Sequence, residues 1–114
     1  MKIAEIVKTL DGSVILGKEN LEKDVEMGFA SDLMSDVLTL QTSNILLITG
    51  LSNVQTIRTA EMADITCIVM VRNKKVTSEI IDLANENNIV IIECCYSMFK
   101  TCGLLFQAGL KPVY

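Results

Sequence analysis

Three short runs of apolar residues constrain the fold of this chain more than any other feature of its sequence. Ile45–Ile48, Cys67–Val71 and Ile89–Ile92 are each followed by a segment with apolar residues at helical spacing. A strand that is apolar on both faces is typical of a parallel sheet buried between two layers of helices. Residues 44–108 therefore predict a β-α-β-α-β-α unit with right-handed crossovers. The expected fold class is α/β, with three layers and a mostly parallel sheet that has helices on both faces.

The first 40 residues predict an extension of this unit. Apolar residues recur at helical spacing over Ile3–Leu10, and Asp11–Gly12 ends the pattern. The apolar run Ser13–Leu16 and the alternating segment 25–29 predict two strands. We find no linker and no internal repeat, and we expect a single domain over residues 1–114.

Short polar residues mark the starts of the predicted helices. Ser31 or Asp32 is expected to cap a short helix that ends near Leu40, with three residues turned inward: Leu33, Val37 and Leu38. Three later helices are expected to begin after the pairs Ser52–Asn53, Thr77–Ser78 and Tyr96–Ser97.

Composition and charge exclude several classes of protein. The chain has 114 residues, of which half are hydrophobic and few are aromatic, so we expect an aliphatic core rather than disorder. The net charge is −4, and only Arg72, Lys74 and Lys75 form a basic cluster, which argues against binding to nucleic acid or to an anionic membrane. No apolar stretch approaches the roughly 20 residues that span a bilayer. We expect a cytoplasmic protein whose four cysteines are reduced thiols.

The absence of histidine restricts the chemistry of the chain. Histidine is the commonest general base at neutral pH and a common zinc ligand, so Ser-His-Asp and Cys-His catalysis within the chain are excluded. Structural zinc sites generally use Cys-x-x-Cys pairs, and none occurs among Cys67, Cys94, Cys95 and Cys102. The sequence therefore predicts no catalytic residue, no metal site and no cofactor.

One segment partly matches a phosphate-binding loop. Gly12–Lys18 fits the pattern G-x-x-x-x-G-K, but Glu19 stands where a Ser or Thr should hold magnesium. The pattern also requires a preceding strand and a following helix, whereas Val14–Leu16 is itself a predicted strand. We therefore interpret the segment as a helix end at Gly12 and a turn at Gly17–Lys18.

Polar residues follow the carboxyl ends of the predicted parallel strands, where ligands bind to open α/β sheets. The candidate ligand-binding residues are Ser31, Asp32, Ser52, Asn53, Arg72, Tyr96 and Ser97. Ser52 and Asn53 precede a helix whose free N–H groups favour an anion, and Arg72 can donate a charge-assisted hydrogen bond. These residues predict a site for a small anionic metabolite or a nucleotide. The alternative is that Ser52 and Asn53 are ordinary helix caps and Arg72 is a solvated loop residue.

Two other features suggest a redox or enzyme accessory protein instead. Cys95, at the end of a predicted strand, is the cysteine best placed to react. Asp32 and Asp36 are four residues apart and would share a helix face, where paired carboxylates can bind a divalent cation or act as acid and base. The simpler interpretation is that the cysteines pack as small hydrophobes and that the acidic residues favour the helix dipole.

The most distinctive segment is Gly28–Leu38, which reads Gly-Phe-Ala-Ser-Asp-Leu-Met-Ser-Asp-Val-Leu. Together with Ile3–Val7, Val14–Val25 and the pattern over Ile68–Ile92, it resembles the DRTGG domain, which is related to the N-terminal domain of HPr kinase/phosphorylase. The resemblance extends over nearly the whole chain. The Asp-Arg-Thr-Gly-Gly signature is absent, so no catalytic residue is carried over, and the positions matching the family segment are Ser31, Asp32, Ser35 and Asp36.

This resemblance implies regulation rather than catalysis. The kinase chemistry of HPr kinase/phosphorylase belongs to a separate domain with a genuine phosphate loop, and other DRTGG domains occur beside CBS domains and in phosphotransacetylases. Stand-alone versions are typical of anaerobic bacteria, which implies a bacterial protein. We expect a non-catalytic regulatory or ligand-sensing domain. Its expected partners are a small anionic ligand, a protein, or a second copy of itself in a homodimer, and neither nucleic acid nor a membrane.

Overall fold

The computed structural model describes residues 1–114, which form five α-helices and a six-stranded sheet. The helices are α1 (Ile3–Leu10), α2 (Met34–Val37), α3 (Val54–Met62), α4 (Ser78–Glu86) and α5 (Met98–Gln107). The strands are β1 (Ser13–Leu16), β2 (Met27–Ala30), β3 (Ile45–Thr49), β4 (Cys67–Met70), β5 (Val90–Glu93) and β6 (Lys111–Pro112). None of these helices is long and apolar enough to cross a lipid bilayer.

The strands are arranged in the order β1-β5-β4-β3-β2-β6. Strands β2 to β5 are parallel to one another, and β6 is parallel to β2. Only β1 is antiparallel, and it pairs with β5 at the opposite edge. The mostly parallel sheet is therefore confirmed. The sequence pattern carries no signal for β6 because two residues are too few to show a period, and Pro112 suits an edge strand since it has no N–H to donate.

Two aliphatic cores lie on opposite faces of the sheet. On one face, α1 and α5 bury Ile6 and Leu105 in a cluster with Leu46 of β3. On the other face, α2, α3 and α4 cover a cluster that includes Ile57 and the neighbouring β3 residue Leu47. Successive strand residues point to opposite faces, so a strand covered on both sides must be apolar throughout. The three-layer arrangement is confirmed.

Capping side chains begin three of the helices. Asn53, Thr77 and Ser97 each accept a hydrogen bond from the amide three residues further along, at the starts of α3, α4 and α5. These bonds satisfy amides that have no partner within the helix. The predicted starts of the later helices are therefore confirmed, although Ser52 is not itself a cap.

Helix α2 differs from its prediction. It spans a single turn, and its N-cap position is Leu33, so neither Ser31 nor Asp32 caps it. Leu33 and Leu38 were expected to be buried but are 58% and 48% exposed, whereas Met34 and Val37 face the core. The reason is that a helix of one turn presents only one narrow side to the core, and Met34 and Val37, three residues apart, occupy that side. The burial of Val37 is confirmed.

The Gly12–Lys18 segment forms a turn rather than a phosphate loop. Val14–Leu16 lies in β1, inside the region that a phosphate loop would occupy. Gly17 has a left-handed backbone with φ of 95°, and an added Cβ would lie 2.7 Å from a methyl group of Val90. This glycine is required by backbone conformation and close packing, as the turn interpretation expects.

Candidate functional site

The parallel strands β2, β3, β4 and β5 end at the same edge of the sheet, and we call the loops that follow them the rim. The rim consists of Ser31–Leu33, Gly50–Asn53, Arg72–Lys75 and Cys95–Ser97. It contains all seven residues that the sequence singles out as candidates for ligand binding. The loops expected to gather at the carboxyl ends of the parallel strands therefore do lie along one edge of the sheet.

Asp32 is the centre of a hydrogen-bond cluster on the rim. Its Oδ1 accepts hydrogen bonds from the Thr49 hydroxyl at 3.0 Å and from the Gly50 N–H at 2.6 Å. Its Oδ2 accepts one from Nη2 of Arg72 at 3.3 Å. Asp32 therefore connects the loop after β2 with the loops after β3 and β4.

The charged form of Asp32 is favoured in this cluster. Partial burial by itself raises the pKa of the carboxyl group, but the Gly50 and Thr49 hydrogen bonds and the charge of Arg72 outweigh it. The pKa of Asp32 is consequently lowered from its ordinary value of 3.8. Asp32 is a carboxylate at neutral pH, and both of its oxygens have donors.

Arg72 is held by an unusual backbone. Arg72 and Asn73 both have left-handed conformations, with φ of 60° and 57°. Their amides donate to the carbonyl oxygens of Tyr96 and Cys94 at 2.8 and 3.0 Å, which ties the loop after β4 to the loop after β5. Left-handed φ values are uncommon for residues other than glycine, so two in succession indicate a tightly determined loop.

Gly50 makes room for the guanidinium group of Arg72. The side chain of Arg72 lies directly over this buried glycine, and any Cβ at residue 50 would collide with it. Glycine is required at residue 50 because Arg72 fills the space of a side chain, and not because of the backbone conformation. Gly50 therefore allows Arg72 to reach Asp32 across the end of β3.

Several of the candidate side chains have structural roles. The Ser52 hydroxyl donates to the Lys75 carbonyl oxygen at 2.7 Å, and the Ser31 hydroxyl accepts a hydrogen bond from the amide of Leu33 at 2.9 Å. Asn53 and Ser97 are helix caps, as described above. Asn53 uses only its side-chain oxygen for this purpose, and its side-chain NH₂ donates to no protein acceptor.

Basic side chains lie on the rim and, in the case of Lys100, beside it on the first turn of α5. Nζ of Lys100 lies 3.9 Å from the ring centroid of Tyr96, in a cation–π arrangement. Lys75 pairs with Glu93 at 3.2 Å, while Lys74 is exposed and forms no ion pair. The rim is therefore locally basic in a chain of net charge −4.

The two carboxylates suggested for metal binding or acid–base chemistry do not lie on one helix. Asp32 precedes α2, whereas Asp36 lies within it, so the predicted shared helix face is wrong. The physical reason is that the carboxylate of Asp32 bonds to the loop after β3 before the helix starts. No group of three or more Cys, Asp or Glu residues is arranged to hold a metal ion.

All four cysteines are free thiols. Burial raises the pKa of Cys67 to about 12 and also raises the pKa of Cys102. Cys95 is the exposed thiol, with its Sγ 3.5 Å from Oδ1 of Asn73. Burial thus keeps Cys67 and Cys102 in the protonated form, which is unreactive.

Sequence reasoning missed Thr49, Gly50 and Lys100 as members of the site. Thr49 and Gly50 lie between the apolar run Ile45–Ile48 and the cap Asn53, but only the tertiary contact with Asp32 shows their role. Lys100 is one helical turn beyond the Ser97 cap, and its position over Tyr96 has no signature in the sequence.

A separate apolar groove lies beside α5. It has a volume of about 200 Å³ and runs between α5 and the β2–β6 edge of the sheet, where its lining includes Gly28, Cys102, Phe106 and Leu110. None of the seven candidate residues lines this groove.

Comparisons with known proteins identify the family. No curated protein sequence matches the chain. The fold is similar to that of the CBS and DRTGG domains of the regulatory region of Clostridium perfringens pyrophosphatase, solved with its activator diadenosine tetraphosphate. The TM-score is 0.74 at 18% sequence identity, and the match covers 98% of this chain but 48% of the other, so this chain spans about half of that structure.

The sequence model of the DRTGG domain matches residues 5–108, from the middle of α1 to the end of α5. The match includes every rim loop and therefore the whole Asp32 cluster. The chain belongs to the DRTGG domain family.

Proposed function

We propose that this chain is a regulatory, ligand-sensing domain that binds a nucleotide or another small phosphorylated metabolite at the rim. The observation that carries the proposal is the cluster around Asp32, because three donors from two loops converge there on one negatively charged group. A backbone N–H, a hydroxyl and a guanidinium are the donors that phosphate groups require.

The comparison with the pyrophosphatase supports the same proposal. That structure is a regulatory region in complex with a nucleotide activator, and one of its two kinds of domain shares this fold. The basic side chains of the rim favour an anionic ligand, and Lys74 and Lys100 are free of carboxylate partners. We propose regulation rather than catalysis, since the chain lacks histidine and a phosphate loop.

Thermal denaturation with added nucleotides tests this function. A ligand that binds only the folded chain raises its stability by about 2.7 kcal/mol at a concentration 100 times its Kd. We expect ATP, ADP or a dinucleoside polyphosphate at millimolar concentration to raise the Tm. The nucleotide should be recovered intact after incubation, and its hydrolysis would contradict the regulatory role.

Arg72→Ala is expected to remove most of the nucleotide-dependent rise in Tm, because it deletes the charged donor of the cluster. Its matched control is Arg58→Ala, which removes the same charge from an exposed position on α3 outside the rim. An equal loss in both variants would indicate nonspecific charge attraction. An unchanged response in Arg72→Ala would place the ligand elsewhere.

We further propose that the chain forms a homodimer through α5. Phe99 is 91% exposed and Phe106 is 67% exposed, and they lie seven residues apart on one helix face. Gly103 lies between them with open space above it, so a second helix can approach closely. The exposed ring of Phe99 and the groove lined by Phe106 lie on the same face of the molecule. This suits a two-fold interface, in which both copies present the same face to each other. Sedimentation equilibrium tests the oligomeric state.

A further inference from the structure

The carboxylate of Asp32 occupies the position in which an anionic ligand would find its donors. Oδ1 takes the Gly50 N–H and the Thr49 hydroxyl, and Oδ2 takes the guanidinium of Arg72. The chain thus supplies its own anion to a set of donors that comes from the ends of β3 and β4.

We propose that Asp32 is an internal competitor that a ligand phosphate group must displace before it can bind to Gly50, Thr49 and Arg72. This inference rests on the proposed function. It attributes the specificity of the rim to the replacement of the Asp32 carboxylate by a phosphate group of the ligand. Both anions present oxygens that suit the fork of an arginine side chain, so either one can satisfy the same donors.

The surroundings of Asp32 permit such an exchange. Its side chain is 44% exposed and that of Arg72 is 48% exposed, so the pair is accessible to a solute. Asp32 lies in the connection between β2 and the single-turn helix α2 rather than within either element. A change of its side-chain rotamer therefore breaks no backbone hydrogen bond of a helix or strand.

The charge of Asp32 opposes ligand binding in two ways. It neutralises Arg72, and it repels an approaching phosphate at short range. While the donors are occupied by Asp32, only the fraction of molecules with a displaced carboxylate can bind, and the apparent Kd rises in inverse proportion to that fraction. Removing the carboxylate should therefore increase affinity, the reverse of the usual effect of deleting a polar residue from a site.

Isothermal titration calorimetry with inorganic phosphate and pyrophosphate, at constant ionic strength in chloride, tests the inference. We expect Asp32→Ala to bind about tenfold more tightly than the unmodified chain, a change equivalent to ~1.4 kcal/mol. Asp32→Asn keeps the size and one acceptor oxygen, so it should show an intermediate gain and decides the question if Asp32→Ala does not fold. The double variant Asp32→Ala/Arg72→Ala should lose the gain in affinity, because the charged donor that binds the phosphate is also removed.

Asp36→Ala is the matched control, because it removes one carboxylate four residues away without touching the cluster. An equal gain in affinity in this variant would show that the effect comes from the net charge of the chain alone, and it would overturn the inference. If the unmodified chain binds phosphate and Asp32→Ala binds it equally or less tightly, the inference fails while the proposed function stands. If neither chain binds either anion, the inference fails, and the nucleotide-dependent rise in Tm decides the proposed function separately.

Discussion

At the scale of single residues, the candidate site depends on three neighbours that act together. Arg72 reaches Asp32 only because Gly50 has no side chain. The pKa of Asp32 is lowered because the hydrogen bonds from Gly50 and Thr49 and the charge of Arg72 outweigh the effect of burial. An arginine suits this position better than a lysine, since its planar fork can hold a carboxylate or phosphate oxygen while lying flat over the backbone.

Gly50→Ala should therefore impair the ligand response with little loss of stability. The new methyl group would push the flexible end of Arg72 aside and break an exposed ion pair, which costs about 0–1 kcal/mol. We expect the nucleotide-dependent rise in Tm to fall as it does in Arg72→Ala. In the Arg72→Ala background the substitution should have no further effect, and an additive loss in the double variant would contradict this steric account.

At the scale of the elements, the rim is built from helix starts and strand ends that hold the fold together and also form the proposed site. Asn53 caps α3 with its carbonyl oxygen, while its side-chain NH₂ remains available to a ligand. The loop after β4 is fastened by its own amides, by Ser52 and by Glu93, which accepts from the Val76 amide at 3.1 Å. Firm anchoring of these loops keeps the donors in place before a ligand arrives.

Asn53→Asp separates the two roles of that residue. Aspartate caps a helix as well as asparagine does, so the free energy of unfolding should stay within about 0.5 kcal/mol, whereas Asn53→Ala should lower it by about 1 kcal/mol. The added negative charge and the lost donor should weaken nucleotide binding in Asn53→Asp. Chemical denaturation and the Tm response measure the two effects separately, and unaltered nucleotide binding in this variant would remove Asn53 from the site.

At the scale of the whole molecule, the rim adjoins the proposed α5 interface at the start of α5, because Ser97 of the rim caps the helix that carries Phe99. The rim lies at the carboxyl ends of the parallel strands, whereas Phe99 and Phe106 lie on the outer face of a helix that covers one side of the sheet. The Asp32 cluster is formed by groups from β3 and the loops after β2, β3 and β4, so none of its members belongs to the proposed α5 interface.

Phe99→Asp is expected to weaken self-association at least about tenfold, since exposed aromatic residues at the centre of an interface dominate its energy. The fold should be unaffected, because the side chain makes little contact within its own chain. Met62→Asp, at a position that is 70% exposed on α3, is the control. Sedimentation that shows a monomer for the unmodified chain, or equal weakening in the control, would exclude the α5 interface.

Much of the fold could be predicted because it follows from local patterns. Ile45–Ile48 is apolar at every position, and a short run of this kind is typical of a strand covered on both faces. Asn53 and Ser97 are capping residues placed directly before helical periodicity, so the starts of α3 and α5 follow from short-range hydrogen bonding. The start of α2 was harder to predict, because the carboxylate of Asp32 accepts a hydrogen bond from the amide of Gly50, 18 residues further along the chain.

The parallel sheet, its two helical layers and the loops in which polar residues gather all follow from local patterns in the chain. The contact of Asp32 with the loop after β3, the position of Gly50 beneath Arg72 and that of Lys100 over Tyr96 are seen only once the chain is folded. The physical reason is one of range. Periodicity and capping act within a few residues of the chain, whereas a binding site is formed by side chains that meet only after the strands have been placed side by side.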